Sequence, residues 1–270
     1  MYKRQALDLR GFDMCAVGAE ALAPALCRLT HLAHLDLSSN DVGATGAAAL
    51  ARPLSTVTVL TALELSSNRL GTAGAQALAP ALRRLTRLAR LGLAGNRFGA
   101  VAGNHIGAAG AATLVQPLGA LTTLTALDLS CSTLLAAGAQ ALAPALSRLS
   151  RLARLDLAHN GVGAAGAAAL VQPLGALTAL TALHLPGNMI GDAGAEALAS
   201  ALRRLTRLQD LGLSNNALSD DGLAHLVPAL VCLPELSSIL LRDNHRLSSA
   251  AVALARSRLG EHRTLLFERH

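Results

Sequence analysis

The chain has 270 residues, 52% of them hydrophobic and 1% aromatic, with a formal net charge of +6. It holds ample apolar material, but its core has to be built from Leu and Ala rather than from large rings. The basic balance raises nucleic acid as a partner, yet the sequence has no Lys/Arg block and few aromatics to stack bases, so nucleic acid is not expected. The four cysteines (Cys15, Cys27, Cys131, Cys232) lie far apart with no C-x-x-C pair. That spacing predicts neither a zinc site nor a disulfide framework, and it fits reduced thiols in an intracellular, cytoplasmic setting. No apolar run is long enough to span a membrane.

Met1–Gln5 stand outside every later pattern and resemble a translated sequencing adapter. We set residues 1–5 aside as an assembly scar, which makes the chain a fragment, and take 6–270 as a single domain. Leu7 and Leu9 fall 28 residues before Leu35 and Leu37, so a strand is expected at the opening, with no polar cap before it. Phe12 stands where later units carry Asn. A helix is expected over Val17–Leu29.

From Leu32 a nine-residue pattern begins, L-x-x-L-x-L-x-x-N. It returns at Leu60, Leu88, Leu152, Leu180 and Leu208, with Ile at its fourth position from Leu236 and without its Asn from Leu124. The middle leucines step by 28, except for one step of 36 between Leu91 and Leu127. A fixed period of this size predicts a solenoid of about nine repeats. Between units the chain reads like Gly71–Leu82, rich in Ala and Leu at helical spacing, so each repeat is one strand plus one helix. Two flavours alternate. One carries Pro24, Pro80 or Pro144, the other Pro53, Pro117 or Pro173 one column later. The prolines are expected to shorten or kink the helices. The eight extra residues of the long step fall near 97–104, where Asn96-Arg97-Phe98-Gly99 is followed by a near copy, Asn104-His105-Ile106-Gly107. An insertion there should protrude at the rim, with Phe98 either a partner anchor or tucked into the core. From 245 to 270 the pattern degenerates, and Leu265–Phe267 are either a capping strand or one further repeat.

These units resemble leucine-rich repeats of the ribonuclease-inhibitor type, whose longer signature L-x-x-L-x-L-x-x-N-x-h-G-x-x-G-A-x-A-L-A is met at Leu60–Ala79 and Leu180–Ala199. The resemblance implies an α/β leucine-rich-repeat solenoid, a curved horseshoe with parallel strands on the concave face and helices on the convex face. The repeats are also similar to those of nucleotide-binding leucine-rich-repeat receptors and of the Ran GTPase-activating protein. The first likeness implies the sensing part of a larger receptor, the second an activator of a small GTPase, against which the basic C-terminal end speaks.

On a short strand Leu35 and Leu37 point inward while His34, Asp36 and Ser38 point outward. Reading this column by column gives a mildly acidic concave floor with basic spikes: His34, Asp36, Glu64, Arg90, Asp128, Arg154, Asp156 and His184. It either receives a protein partner or neutralises itself across adjacent strands. Arg97, Phe98, Asn104 and His105 are the insertion's candidate contacts. Asn40, Asn68, Asn96, Asn160, Asn188, Asn216 and Asn244 form a structural column, because an amide both donates to and accepts from a turning backbone. His34, Asp36 and Glu64, and likewise Asp156, His159 and His184, have metal-ligand chemistry but no evident supporting shell, so no metal is expected. Arg83, Arg84, Arg148, Arg151, Arg203 and Arg204 follow helices, where the macrodipole favours cations. The sequence has no nucleophile–base signature, phosphate loop or H-E-x-x-H, so neither catalysis, cofactor nor small-molecule substrate is expected. The function read from the sequence is a scaffold that binds a protein on its concave face and rim.

Overall fold

The computed structural model describes residues 5–96, 100–101, 104–105, 107–260 and 264–266, with side chains described over 5–96 and 109–260. Strands and helices alternate: β1 (Gln5–Asp8), α1 (Cys15–Leu26), β2 (Leu32–Asp36), α2 (Gly43–Leu54), β3 (Ala62–Glu64), α3 (Gly71–Leu82), β4 (Arg90–Gly92). After the short β5 (Ala100–Val101) and β6 (Asn104–His105) come α4 (Gly107–Ala120), β7 (Ala126–Asp128), α5 (Leu135–Leu146), β8 (Arg154–Asp156), α6 (Gly163–Ala176) and β9 (Ala182–His184). The chain continues through α7 (Gly191–Leu202), β10 (Asp210–Gly212), α8 (Asp220–Val231), β11 (Ser238–Leu240), α9 (Ser249–Leu259) and β12 (Thr264–Leu266). Ten strands form one parallel sheet in chain order, skipping β5 and β6. Each helix packs on the next one along. This is a solenoid with a wall of strands and a wall of helices.

The register follows the sequence period. Leu7 pairs with Leu35, Leu35 with Leu63, and Leu63 with Leu91. Leu91 pairs with Leu127 across the long step, so the eight extra residues leave the sheet undisturbed. In this region β5 and β6 form a two-stranded antiparallel ladder, with Ala100 opposite His105 and Val101 opposite Asn104. Gln5, placed in the segment set aside, is the first residue of β1 and lies opposite Leu32. At the far end β12 adds one more strand, with Leu265 opposite Ile239.

The core is a single leucine seam in which Leu35, Leu63, Leu91, Leu127, Leu155, Leu183 and Leu211 are all buried. A second leucine column (Leu37, Leu65, Leu93, Leu129, Leu157, Leu185, Leu213) is buried beside it. No repeat could hide these side chains alone, because each strand offers its neighbour half of the seam. The Asn column is also buried, and its members bond between repeats. Asn68 Oδ1 accepts from the backbone N–H of Asn40 at 3.1 Å and of Val42 at 3.3 Å. Its Nδ2 donates to Leu37 O of the previous repeat at 2.7 Å and to its own Leu65 O at 3.0 Å. Asn160, Asn188, Asn216 and Asn244 repeat this pattern.

One expectation changes. Proline does not shorten the helices. The proline-free α7 has the same 12 residues as α3, which carries Pro80, while α4 and α6 carry proline and have 14. The prolines sit in or near the last turn, where the carbonyl four residues back loses one bond and little else. The paired glycines of each repeat also divide their labour. The first, such as Gly163 at φ 65°, turns the chain into the helix. The second, such as Gly166, lets helices touch, since a Cβ there would lie 3.0 Å from Ala136 Cα of the preceding helix and 2.6 Å from Val162 Cγ1.

Candidate concave binding face

The outward residues of adjacent strands stand in register, so the columns read from the sequence are columns in space. Asp8 lies opposite Asp36, Asp36 opposite Glu64, Glu64 opposite Gly92, and Gly92 opposite Asp128. Asp128 lies opposite Asp156, and Asp156 opposite His184. In the column before it, Arg90 lies between Ala62 and Ala126, and Arg154 between Ala126 and Ala182. The alternation of two repeat flavours thus gives each arginine two alanines as cross-strand neighbours, and both arginines are exposed. His34 is half-buried between Ala6 and Ala62 by the same logic.

The aspartates have local work as well. Each accepts the backbone N–H two residues on: Asp8 from Arg10 at 3.1 Å, Asp36 from Ser38 at 2.9 Å, Asp128 from Ser130 at 2.9 Å and Asp156 from Ala158 at 3.0 Å. These side-chain turns close the chain where the strand ends. An aspartate in this column therefore carries a structural reason for being there, and its second oxygen is the part left for other groups.

Asp36 and Asp156 use that second oxygen within the chain. The Arg10 guanidinium donates to Asp36 Oδ2 at 2.7 Å, and the Ser38 hydroxyl donates to Asp36 Oδ1. Burial pushes the Asp36 carboxyl up, but the Ser38 and Arg10 hydrogen bonds outweigh it and hold the pKa below its ordinary value. Arg10 lies 28 residues before Ser38, in the same outward column, and is not among the face residues expected from the sequence. Its arginine beside an aspartate column was the available signal. Asp156 Oδ2 lies 3.2 Å from His184 Nδ1, and Arg154 Nη2 lies 3.3 Å from the same nitrogen. One ring nitrogen cannot donate to Asp156 and accept from Arg154 at once, so with Nδ1–H toward Asp156 the arginine is a neighbouring charge rather than a bonded one. Burial again pushes Asp156 up, and the His184 and Ala158 bonds bring it below its ordinary value.

Glu64 differs. Among the described residues it makes no ion pair, and its carboxylate leans over Gly92, where a Cβ would collide with it. Burial and the charges of Asp36 and Asp128 push its pKa up, with Arg90 opposing. Glu64, Arg90, Gly92, Asp128 and Arg154 line a recess of about 190 Å³ on the face, floored by Gly92. Asp36 and Asp156 thus find partners within the chain (Arg10 and His184), while Glu64, Asp128, Arg90 and Arg154 form no ion pair among the described residues.

Of the insertion candidates, Arg97 and Phe98 lie outside the described residues. Asn104 and His105 form β6, and their side chains lie outside the description. Neither His34 with Asp36 and Glu64, nor Asp156 with His159 and His184, forms a cluster able to hold a metal ion among the described residues. The four cysteine thiols are free and exposed. No described helix is long and apolar enough to cross a membrane.

Comparison with known families agrees with this architecture. The family profile described as "Leucine Rich repeat" matches residues 28–51, 58–79, 120–143, 152–171 and 176–199. No curated protein matches the chain. Among solved structures, an internalin (inlF) from Listeria monocytogenes is 19% identical, with a TM-score of 0.38, over 98% of this chain and 81% of that one. The profile-matched segments each span a strand and its helix, or most of them, and the repeats of this chain are leucine-rich repeats stacked as a solenoid.

Proposed function

We propose that the chain is a recognition scaffold whose concave face and adjoining rim bind another protein. The observation that carries the reading is the recess of Glu64, Arg90, Asp128 and Arg154, where charged groups stand in register without an ion pair among the described residues. Groups of both signs at fixed spacing suit a folded or extended protein surface and give specificity through charge complementarity. The scarcity of aromatics means that affinity comes from shape and charge rather than from ring anchors. We assign the repeats to the ribonuclease-inhibitor-like type, supported by helices of 11 to 14 residues in every described repeat. Free, exposed thiols support a reducing, intracellular compartment.

The test is a set of charge-neutral replacements, Glu64→Gln with Asp128→Asn, against the wild type in partner capture. The amide introduced by Asp128→Asn keeps an oxygen that accepts from Ser130, so the fold is retained while both charges go. Capture should fall by about tenfold or more if the face binds. Undiminished capture by this pair would refute the concave-face reading.

A further inference from the structure

The strand-start rim carries a pattern that the concave face does not share. Between α3 and β4 the chain makes two tight turns, with Arg84 N–H to Ala81 O at 2.9 Å and Leu88 N–H to Leu85 O at 2.9 Å, and the same pair of bonds follows α5 and α7. Leu85 and Leu88 are fully buried. Fixing these two inward forces Arg84 and Arg87 outward. The same happens at Arg148 and Arg151 around Leu149 and Leu152, and at Arg204 and Arg207 around Leu205 and Leu208. All six arginines are exposed, and none forms an ion pair among the described residues.

Two of them are held in place. The stem of Arg148 rests on Gly119 at the end of α4, with Cδ 3.3 Å from where a glycine Cβ would be. Arg204 rests on Gly175 at the end of α6 in the same way, at 3.2 Å. The glycine of one flavour therefore makes room for the arginine of the other. The methylene stem is pinned and the guanidinium is presented, so less side-chain freedom is lost on binding. These arginines lie over the C-terminus of the preceding helix as well as just past their own.

The rows lie just before β4, β8 and β10, which are two strands apart in the sheet order. Parallel strands are about 4.8 Å apart, so the rows repeat about every 10 Å at the strand edge. Three residues of an extended chain cover about the same distance. At β4 and β8 the stripe runs onto the face through Arg90 and Arg154. At β10 and β11 it stops, because Asp210 and Glu235 take the equivalent or neighbouring rim positions.

We propose that this rim binds an extended acidic segment of a partner protein, with carboxylates spaced about three residues apart. The proposal rests on the protein-binding reading above and names the chemistry of the partner. Arginine's planar fork donates two parallel hydrogen bonds to a carboxylate. Nucleic acid fits less well. The phosphates of a duplex would be repelled by the acidic middle column of Asp36, Asp128 and Asp156, and the sequence has few aromatics on which a single strand could stack.

The experiment is a binding titration of the intact chain with a synthetic Ser/Thr peptide carrying Glu at every third position. It is run beside a duplex DNA and a peptide of the same composition with its Glu residues clustered. The spaced peptide should bind more tightly than either. A rim variant, Arg87→Gln with Arg151→Gln and Arg207→Gln, should weaken it by about tenfold or more. A control, Arg52→Gln with Arg69→Gln and Arg258→Gln, removes the same net charge elsewhere and should weaken it far less. Absence of peptide binding, equal loss in both variants, no loss in the rim variant, or DNA binding as tight as the peptide would each overturn the proposal. Circular dichroism checks that both variants fold. Because the Glu64 and Asp128 replacements leave the rim intact, loss of the rim function and loss of the concave-face function are read separately.

Discussion

The side-chain oxygen of Asn160 accepts the backbone N–H of Ser132 at 3.0 Å, but the Ser132 hydroxyl donates to Ser130 O inside its own repeat. The amide column thus passes from Asn244 down to Asn160 and weakens at one rung, beside the insertion. Asn160 also accepts from Leu134 N–H at 3.3 Å and shares its amide hydrogens among Leu129 O, Leu157 O and Ala158 O. Asn160→Ala leaves these buried groups without their partner and should destabilise the chain by about 3 kcal/mol or more. Ser132→Asn should act in the opposite direction, by about 1 kcal/mol, because the longer amide side chain can reach Leu93 O across the rung. Urea unfolding of the two variants checks both signs, and a neutral Asn160→Ala would remove the column from any account of stability.

Leu135 adopts φ 55° where Gly43, Gly71, Gly163 and Gly191 hold the same position in other repeats. Its N–H makes the same bond, to Asn160 O at 2.9 Å, as Gly163 N–H makes to Asn188 O at 2.8 Å. A leucine in this conformation carries a steric cost of about 1–2 kcal/mol, only part of which its half-buried side chain offsets. Leu135→Gly should raise stability by up to about 1 kcal/mol. Leu135→Ala keeps the Cβ and should give no such gain, so a thermal melt of both variants separates backbone relief from lost packing.

Gly166→Ala tests the helix contact by its sign. In an isolated helix the change would stabilise by about 1 kcal/mol. Here the new Cβ would meet Ala136 Cα of the neighbouring helix at 3.0 Å. We expect destabilisation of about 1–3 kcal/mol instead, read as a lowered urea midpoint. A raised midpoint would mean that α5 and α6 can move apart freely.

The acids of the face should respond to pH in opposite ways. Asp156 has a folded pKa below its ordinary 3.8. Its contribution is therefore full above about pH 4 and lost as pH falls through the lower folded value. Glu64 has a folded pKa above its ordinary 4.5, so a cost in stability builds as pH rises from about 4.5 and is full above the folded value. Glu64→Gln should raise the melting temperature at pH 7, with the gain fading as pH falls through the folded value toward about 4.5 and lost below it. Asp156→Ala should lower it by about 1–2 kcal/mol equivalent at pH 7, and by less under acid. Melting curves at pH 7 and pH 3 are sufficient. A Glu64→Gln gain that is unchanged at pH 3 would be packing rather than charge.

The backbone register was legible because one leucine per 28 residues fixes it. The step of 36 named the insertion, and the Leu91–Leu127 pairing follows from the same count. The columns of the face followed from register together with strand alternation. Three things were not legible. The bond from each aspartate to the N–H two residues on needs the strand to end there, which L-x-x-L-x-L does not state. The role of Arg10 needed its side chain to bend back to the neighbouring strand. Proline looked like a helix breaker because its place in the last turn depends on where the helix ends, the least certain boundary in any periodic pattern. The side chains of Arg97 and Phe98 stay outside both accounts.

Leu91 meets Leu127 in register although 36 residues separate them instead of 28. Length in that loop is therefore uncoupled from shape: the chain can grow there without asking any neighbour to retune. The same position is a natural port for display. A short foreign epitope spliced between β5 and β6 would ride on the scaffold while the seam beneath it stayed closed.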